Sequence, residues 1–573
     1  FYQLQLKNVG PNCYDPENSF YARLELTEKD TLLLLTDSES RKRWEELAQQ
    51  SLKGKSLEKI LNTKTVEGIE YKGLYTEGEN VPDLETFPAK LLPSRIYNSA
   101  LCSDDDLVED SKEGIEGSVL LLEGKRFKAS LGKSKNPTVI VQKNSNELLE
   151  QFKGQESFVF VDTNQLDFEN FEKEVERIRS KNLGFAINLS QTHNAGASVV
   201  QEISFGLNVF KGLLESGVSP SSIKFFTAVD SLIFLNIAKL RALRYLAEEM
   251  LDAFNLKKEV FILAVSSLRE QTLYDPYVNM LRNCSGAMSA IMGGANQMAI
   301  RTHDSIFSML TGEPSSDQAK RSARNILNIA IEESKLGFVM DPGKGSFSLE
   351  KLTREIATQS WENFLNWEEQ GLFQNIKDFS ASIEAIAKAR YEKTRTRKTV
   401  VTGVNEFANP EETIQSMYDR PWRPVEVSSG LFPVRRTAFE FEDLRLKFEQ
   451  MEVKPKICIV RQGPLAKLSG RINFIKNIFE TVGLEIVESE NELSVDEYIK
   501  FAKKENCNVL VYCGIDEEYS DWVIPGEVED FKFRFIAGKK ENFELENKDQ
   551  FIDLFIGKNI YSDLKLLLGD ENE

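Results

Sequence analysis

Apolar and polar positions along this chain follow two alternating periods, and the stretch from Tyr274 to Asp304 shows both. After an Asp275-Pro276 opening, Val278, Leu281, Cys284 and Met288 recur at near-helical spacing. Gly293-Gly294 breaks the pattern, and Asn296–Thr302 then reads as a short strand. Its end delivers Arg301, Thr302, His303 and Asp304 together. The same alternation runs back toward the amino end as β-rich runs at Gly68–Tyr75, Arg95–Ala100, Ser118–Glu123, Ser157–Asp162, Phe185–Ser190, Ile223–Ala228 and Val260–Ser266. With Asn296–Thr302 they make eight, and Thr138–Gln142 is a further β-like run. Apolar stripes mark helices between them, one at Phe168, Phe171, Val175 and Ile178, and another at Ile203, Leu207, Phe210 and Leu214 that stops at Gly217 and Pro220. Strands alternating with amphipathic helices predict parallel crossovers in an α/β fold, and eight of them fit a closed (β/α)8 TIM-type barrel.

Outside that region the pattern changes. Residues 1–55 read as an arm with one helical stretch near Arg41–Leu52, and 56–398 as the barrel with helical additions after Ser322. Residues 399–455 read as a linker, scattered with Pro, Gly and charge. From Lys456 a second alternation begins: strand Lys456–Val460, helix Arg471–Val482, strand Glu485–Val487, helix Val495–Glu505 and strand Asn508–Cys513, with Ser494 and Glu497 spaced as a capping box. Residues 456–573 are therefore expected to form a small doubly wound domain.

Composition removes several function classes. Lys plus Arg number 71 against 90 Asp plus Glu, a net charge of −19, which disfavours nucleic acid as a partner. The basic run Arg390–Lys398 reads as a solvated helix end. No apolar run is long enough for a membrane span, so a membrane partner is not expected. Six cysteines without a C-x-x-C suggest a reducing, cytoplasmic setting rather than a zinc site or disulfide framework.

Candidate chemistry is sparse. The chain has two histidines, His193 and His303, each following a predicted barrel strand; two cannot build a multi-histidine metal centre. Either could act as an acid or base on the barrel's catalytic face, or tie down a loop by hydrogen bonding, and the second reading is the simpler. Asp341-Pro-Gly-Lys-Gly-Ser346 has glycines suited to a phosphate cradle but fails the G-x-x-x-x-G-K-[ST] spacing, and reads as a turn. Lys239, Arg241 and Arg244 on one helix suggest ion pairing. No G-x-S-x-G or H-E-x-x-H occurs.

Six stretches in order, Thr65-Val-Glu-Gly-Ile69, His193-Asn-Ala-Gly-Ala-Ser198, Ile237-Ala-Lys-Leu-Arg-Ala-Leu-Arg244, Tyr274-Asp-Pro-Tyr-Val-Asn-Met-Leu-Arg282 with Ser285-Gly-Ala-Met-Ser289, Asp341-Pro with Gly345-Ser346, and Val401-Thr-Gly-Val-Asn405, resemble the methylmalonyl-CoA mutase family. The resemblance implies an acyl-CoA barrel joined by a linker to a flavodoxin-like, cobalamin-binding-type domain. It also implies an adenosylcobalamin cofactor and the radical interconversion of methylmalonyl-CoA and succinyl-CoA.

Departures from the family's catalytic pattern narrow the expectation. Catalytic members hold cobalt through an Asp-x-His-x-x-Gly turn after the first strand of the C-terminal domain. Here that turn is Gln462-Gly-Pro-Leu-Ala-Lys-Leu-Ser-Gly-Arg471, with neither Asp nor His, and no histidine follows His303. Nothing in residues 76–99 matches the substrate-contacting Arg-Gly-Pro-Tyr segment, and Thr192, not Tyr, precedes His193. The chain thus looks like the family's small, non-catalytic subunit. Its cofactor is expected on a large catalytic partner in a heterodimer, and it is expected to have no catalytic, cofactor-binding or metal residues of its own. Two rivals are an active cobalamin-dependent acyl-CoA mutase without a protein imidazole, and a barrel enzyme of other chemistry using His193 and His303.

Overall fold

A computed structural model describes residues 38–52, 56–65, 68–75, 97–102, 117–122, 137–141, 159–312, 314–414, 430–489, 493–515, 519, 531–542 and 548–569. The chain divides into two compact units, Phe1–Thr63 with Tyr71–Val81 and Lys64–Glu70 with Pro82–Glu573. The described part of the first consists of helices Ser38–Ser51 and Leu57–Leu61, the second capped by the Ser56 hydroxyl.

In the second unit eight parallel strands close on themselves: β1 (Tyr97–Cys102), β2 (Gly117–Leu122), β3 (Pro137–Val141), β4 (Val159–Asp162), β5 (Gly184–Asn188), β6 (Ile223–Val229), β7 (Ile262–Ser266) and β8 (Gln297–Ile300). Each pairs with the next, and β8 returns to β1 with Gln297 opposite Tyr97. The interior is filled by alternate residues of these strands, among them Ile140, Phe160, Phe226, Leu263, Val265 and Ala299. Described crossover helices include Phe171–Arg179, Val199–Glu215, Ile233–Ala253 and Val278–Met292. The crossovers after β1, β2 and β3 lie outside the described residues. Both predicted apolar stripes face inward: Phe168, Phe171, Val175 and Ile178, and Ile203, Leu207, Phe210 and Leu214, are buried.

Three expectations are corrected. Within Gly68–Tyr75 only Glu70–Tyr71 is strand, and it belongs to a two-stranded sheet with Thr63–Lys64 rather than to the barrel. The extra run at Thr138–Gln142 takes the vacant place as β3, so the total stays at eight. The helix after Tyr274 exists, but its buried face is not the predicted stripe: Leu281 is 68% exposed, while Asn279, Asn283, Gly286, Ala287 and Ala290 point inward. The small residues permit close approach, and the two asparagines bond loop backbone. Asn279 Nδ2 donates to the Thr272 and His303 carbonyls at 2.8 and 2.9 Å, and Asn283 Nδ2 to that of Arg301 at 2.9 Å.

A second parallel sheet holds β9 (Lys456–Arg461), β10 (Glu485–Glu488), β11 (Val509–Cys513), β12 (Phe533–Ala537) and β13 (Ile552–Leu554) in the order β10-β9-β11-β12-β13. The sequence pattern marked the first three. Helices cover both faces, giving one core around Ile459, Val511, Ile475 and Phe479 and another around Val460, Tyr512, Tyr498 and Ile499. The predicted capping box is present, with Ser494 Oγ accepting from Glu497 N–H and the Glu497 carboxylate accepting from Ser494 N–H. Described residues between the barrel and this sheet are packed: helix Phe439–Glu449 contributes Phe441, Leu444 and Phe448 to the first core.

Candidate functional site

Ligands of a parallel barrel bind at the carboxyl ends of its strands. Here that face is reached by Asp162 at the end of β4, Asn188 at the end of β5, Asp230 just past β6, Ser267 and Arg269 just past β7, and His303 past β8. His193 arrives on the short helix Leu189–Asn194, capped by Asn188. Gly196, at φ +105°, follows that helix, and a Cβ there would sit 2.6 Å from Ala387 Cβ. The glycine of the His193–Ser198 stretch is thus a close-approach residue.

His193 is 1% exposed, and both ring nitrogens are engaged: Nδ1 lies 2.7 Å from Glu202 Oε1 and Nε2 lies 2.9 Å from Ser267 Oγ. Burial first, then the Arg269 and Lys239 charges, hold this imidazole well below the usual histidine range, so the ring is neutral. With the Glu202 carboxylate as acceptor the ring proton sits on Nδ1, leaving Nε2 to accept from the Ser267 hydroxyl, whose oxygen also accepts from Arg269 N–H at 3.1 Å.

Around the ring the charges pair off. Lys239 Nζ donates to Glu202 Oε2 at 3.0 Å, and the Arg269 guanidinium to Asp230 Oδ2 at 2.9 Å and to the His193 and Ala197 carbonyls at 3.0 and 3.1 Å. For Asp230, burial raises the carboxyl, but Arg269 foremost among its neighbours outweighs this and holds it well below the usual range. Glu202 goes the other way: burial pushes it up despite Lys239. Asp162 is pushed up to about 7, because burial outweighs bonds from Asn188 and the Asn164 backbone. The result is a buried, mutually bonded set with no free base directed at a reacting atom.

His303 is 8% exposed, stacks on the Tyr277 ring at 5.1 Å, and its Nδ1 has no hydrogen-bond partner. No hydrogen bond joins it to His193. Its predicted neighbours serve the loop: Arg301 N–H donates to Ser266 Oγ, Thr302 shares a hydrogen bond with Ser315, and Asp304 Oδ2 accepts from Ser316 N–H.

The other singled-out stretches are architectural. Arg241 reaches Asp341 at 3.1 Å, Glu350 at 2.8 Å and Thr353 at 2.9 Å, and Gly345 N–H donates to Glu350, so the Asp341–Ser346 turn is stapled from within. Arg244 donates to the Val260 and Gly294 carbonyls, tying the Gly293-Gly294 break to the segment that leads into β7. Asn405 closes the Val401–Asn405 turn through Val401 N–H and the Thr394 and Thr399 carbonyls. All three cations of the helix Ile233–Ala253 are buried, which a spacing argument for surface pairing misses; the run of apolar neighbours on every side was the available signal.

A sheet of the order 2-1-3-4-5 binds ligands outside the carboxyl ends of its strands, at the switch between the first and third. In this chain those strand ends are bonded to one another. Tyr519, fully buried, accepts from Gly514 N–H at 2.9 Å and donates to the Ala537 carbonyl at 2.9 Å, bridging the ends of β11 and β12. Arg471 donates to the Gly514 carbonyl and lies 5.9 Å from the Tyr519 ring centroid. Gln462 N–H is spent on the Cys513 carbonyl, and the helix Leu465–Glu480 starts immediately after Pro464. With no histidine after His303, these residues do not fit a cobalamin held through a protein imidazole. Among the described residues, no cluster of three or more His, Cys, Asp or Glu could hold a metal ion, and no helix is long and apolar enough to cross a membrane. Within the first unit, a groove of about 660 Å³ is lined by Arg41, Trp44, Glu45, Asn62 and Lys72, with Arg41 and Glu45 already paired at 3.1 Å.

Comparison with known proteins bears on this geometry. Residues 167–424 match the family described as methylmalonyl-CoA mutase. The methylmalonyl-CoA mutase small subunit of Porphyromonas gingivalis is 29% identical over 384 residues, 62% of this chain and 59% of that protein. The probable methylmalonyl-CoA mutase small subunit of Mycobacterium tuberculosis is 31% identical over 346 residues, covering 58% of this chain and 55% of the relative. The small subunit of Propionibacterium freudenreichii subsp. shermanii is 28% identical over 57% of this chain and 52% of its own. The chain thus spans a little over half the length of the relatives it matches.

Proposed function

We propose, from the match of residues 167–424 to the methylmalonyl-CoA mutase family and the likeness to small subunits of such mutases, that this chain is the small, non-catalytic subunit of a heterodimeric, adenosylcobalamin-dependent mutase. The complex interconverts methylmalonyl-CoA and succinyl-CoA in the cytoplasm, and the cofactor and the radical chemistry belong to a large partner subunit. In this reading the chain is a TIM-type (β/α)8 barrel across 56–398 and a degenerate flavodoxin-like domain across 456–573, with an arm before and a linker between. Its task is to stabilise the partner.

The observation that carries the proposal is that the candidate side chains on the barrel's ligand face are engaged with one another, while the second sheet has no histidine to offer a ligand. His193 has both nitrogens bound, and Tyr519 ties the ends of β11 and β12 together. A fold kept while its sites close is expected where activity resides in the site rather than the architecture. The test is reconstitution. The isolated chain is mixed with cobalamin and with succinyl-CoA, and binding is followed by absorbance and calorimetry, alone and after addition of a purified large catalytic subunit. The expected result is no binding alone, and a one-to-one complex with mutase activity once the partner is added. Stoichiometric cobalamin binding or isomerase activity by this chain alone would overturn the reading.

A further inference from the structure

The amino-end floor of the barrel holds a lysine that neither the fold nor the proposed function accounts for. Residues of the inner cluster set the register: counting back two positions from Ile140, Phe226, Leu263 and Ala299 gives Thr138, Lys224, Phe261 and Gln297 as the layer below. In that layer Lys224 Nζ donates to Thr138 Oγ1 at 2.9 Å, and Thr138 in turn donates to Gln297 Oε1 at 3.0 Å. The ammonium lies 4.3 Å from the centroids of both the Phe160 and the Phe261 rings.

Among the described residues no carboxylate pairs with it. A buried cation normally has an anionic partner. Two ring faces and one hydroxyl stabilise the ammonium weakly, and they leave its neutral form undisturbed. Burial accordingly pulls the Lys224 amine down to about 8, so a sizeable neutral share exists near physiological pH. Lys224 as a residue is partly exposed, and a small reagent would have to approach the amine along that opening.

We propose that Lys224 is a modification site, a nucleophilic amine that small, uncharged acyl electrophiles of the cyclic-anhydride class convert to an amide. Apolar walls favour an uncharged reagent over a phosphorylated one. A four-carbon dicarboxylic thioester supplies such a reagent by itself. Its free carboxylate attacks its own thioester carbonyl, the carbon–sulfur bond breaks, the thiolate departs and the five-membered anhydride forms. The Lys224 nitrogen then attacks one anhydride carbonyl and the ring carbon–oxygen bond opens. The product is an amide ending in a free carboxylate, and the nitrogen's proton passes to solvent. That source rests on the proposed function, since it needs a complex that handles succinyl thioester; the reactive amine does not. Acylation would remove the cation from between the rings and put a carboxylate at the floor, linking product accumulation to the stability of this subunit.

The test is competitive labelling of the folded full-length chain with limiting succinic anhydride, read by peptide mass spectrometry. The internal standard is Lys257, whose side chain is 81% exposed. At about pH 7.5, Lys224 is expected to label about tenfold faster than Lys257, and the preference should disappear in denaturant. Lys224→Arg keeps the cation over the rings and should lose the label while the rest of the labelling map stays unchanged. Labelling of Lys224 no faster than Lys257 would overturn the proposal, whatever the family activity proves to be. A parallel arm with succinyl-CoA in place of the anhydride tests the source: labelling at Lys224 supports it, and labelling confined to exposed lysines overturns that half. Neither arm depends on the reconstitution assay, so failure here and failure of the subunit reading are separable.

Discussion

At the carboxyl face of the barrel, ionisable side chains lie buried around His193, whereas at the carboxyl ends of β11 and β12 in the second sheet one buried neutral phenol joins the strands with an arginine beside it. Both places are where their architectures hold ligands. The barrel face keeps residue types that could do chemistry and immobilises them by mutual bonding. At the second sheet a neutral side chain, Tyr519, joins the ends of β11 and β12 by hydrogen bonds. A charged network depends on all its members and on pH, while a neutral phenol depends mainly on shape and on its hydrogen bonds to strand-end backbone.

The largest effect should follow from removing one member of the network. Glu202→Ala leaves Lys239 without its carboxylate and the His193 Nδ1–H without its acceptor, and breaking a buried pair this way costs about 3–5 kcal/mol. Tyr519→Phe removes only a hydroxyl, leaving Gly514 N–H and the Ala537 carbonyl unsatisfied, at about 1–3 kcal/mol. Denaturant unfolding of the two variants against the parent measures both. Equal losses would mean that the sheet edge is held as dearly as the barrel face, and the distinction would fail.

Titration separates the two regions next. Asp162 and Glu270 are both pushed up to about 7 by burial, so the folded chain binds more protons than the unfolded one between the ordinary carboxyl range and about pH 7. Their stabilising contribution is fully present in acid and is lost as pH rises through about 7. His193 acts in the opposite sense. Its folded pKa lies below the ordinary 6.5, so its contribution is lost as pH falls below that value. Two carboxyls outweigh the one opposing histidine, so stability should fall as pH rises from about 5 to about 7, by at most about 1.4 kcal/mol per pH unit for each carboxyl, and level off above that. Burial raises the Tyr519 hydroxyl beyond the ordinary tyrosine range, so that edge contributes nothing to the slope. Unfolding measured across this range should show the decline in the parent and in Tyr519→Phe, and a smaller one in Asp162→Asn. A flat profile in the parent would show that the network does not titrate as described.

What could be read from the sequence follows from which interactions are periodic. The strand and helix alternation was readable because Ile203, Leu207, Phe210 and Leu214 repeat on one face, and all four are buried. Gly68–Tyr75 misled because two residues of strand, Glu70 and Tyr71, carry the same local signal as a barrel strand, and only the partner distinguishes them. The helix after Tyr274 was found but rotated, since Asn279 and Asn283 face inward to bond loop carbonyls, and a hydrophobic count cannot reward a buried asparagine. His193 was located by its place after a strand. Its partners, Glu202 and Ser267, lie 9 and 74 residues away and are joined only by the closed barrel. Tyr519 gave no signal at all, because its role comes from the ends of strands it does not belong to.

The smallest expected effect sharpens the comparison most. Arg471 is the one charged residue at the sheet edge whose contacts parallel those of Arg269 in the barrel: a backbone carbonyl, here of Gly514, and a neighbouring functional side chain, here the Tyr519 ring. It is partly exposed, so water can replace what Arg471→Met removes, and the loss should be about 1 kcal/mol or less. Arg269→Met, by contrast, strands the buried Asp230 carboxylate and should cost several times more, about 3–5 kcal/mol. If the two arginine variants melt alike, burial is not what separates the regions. If they differ as expected, the same residue type is a dispensable trim in one region and a structural member in the other, because only in the barrel does its removal leave a charge out of reach of water.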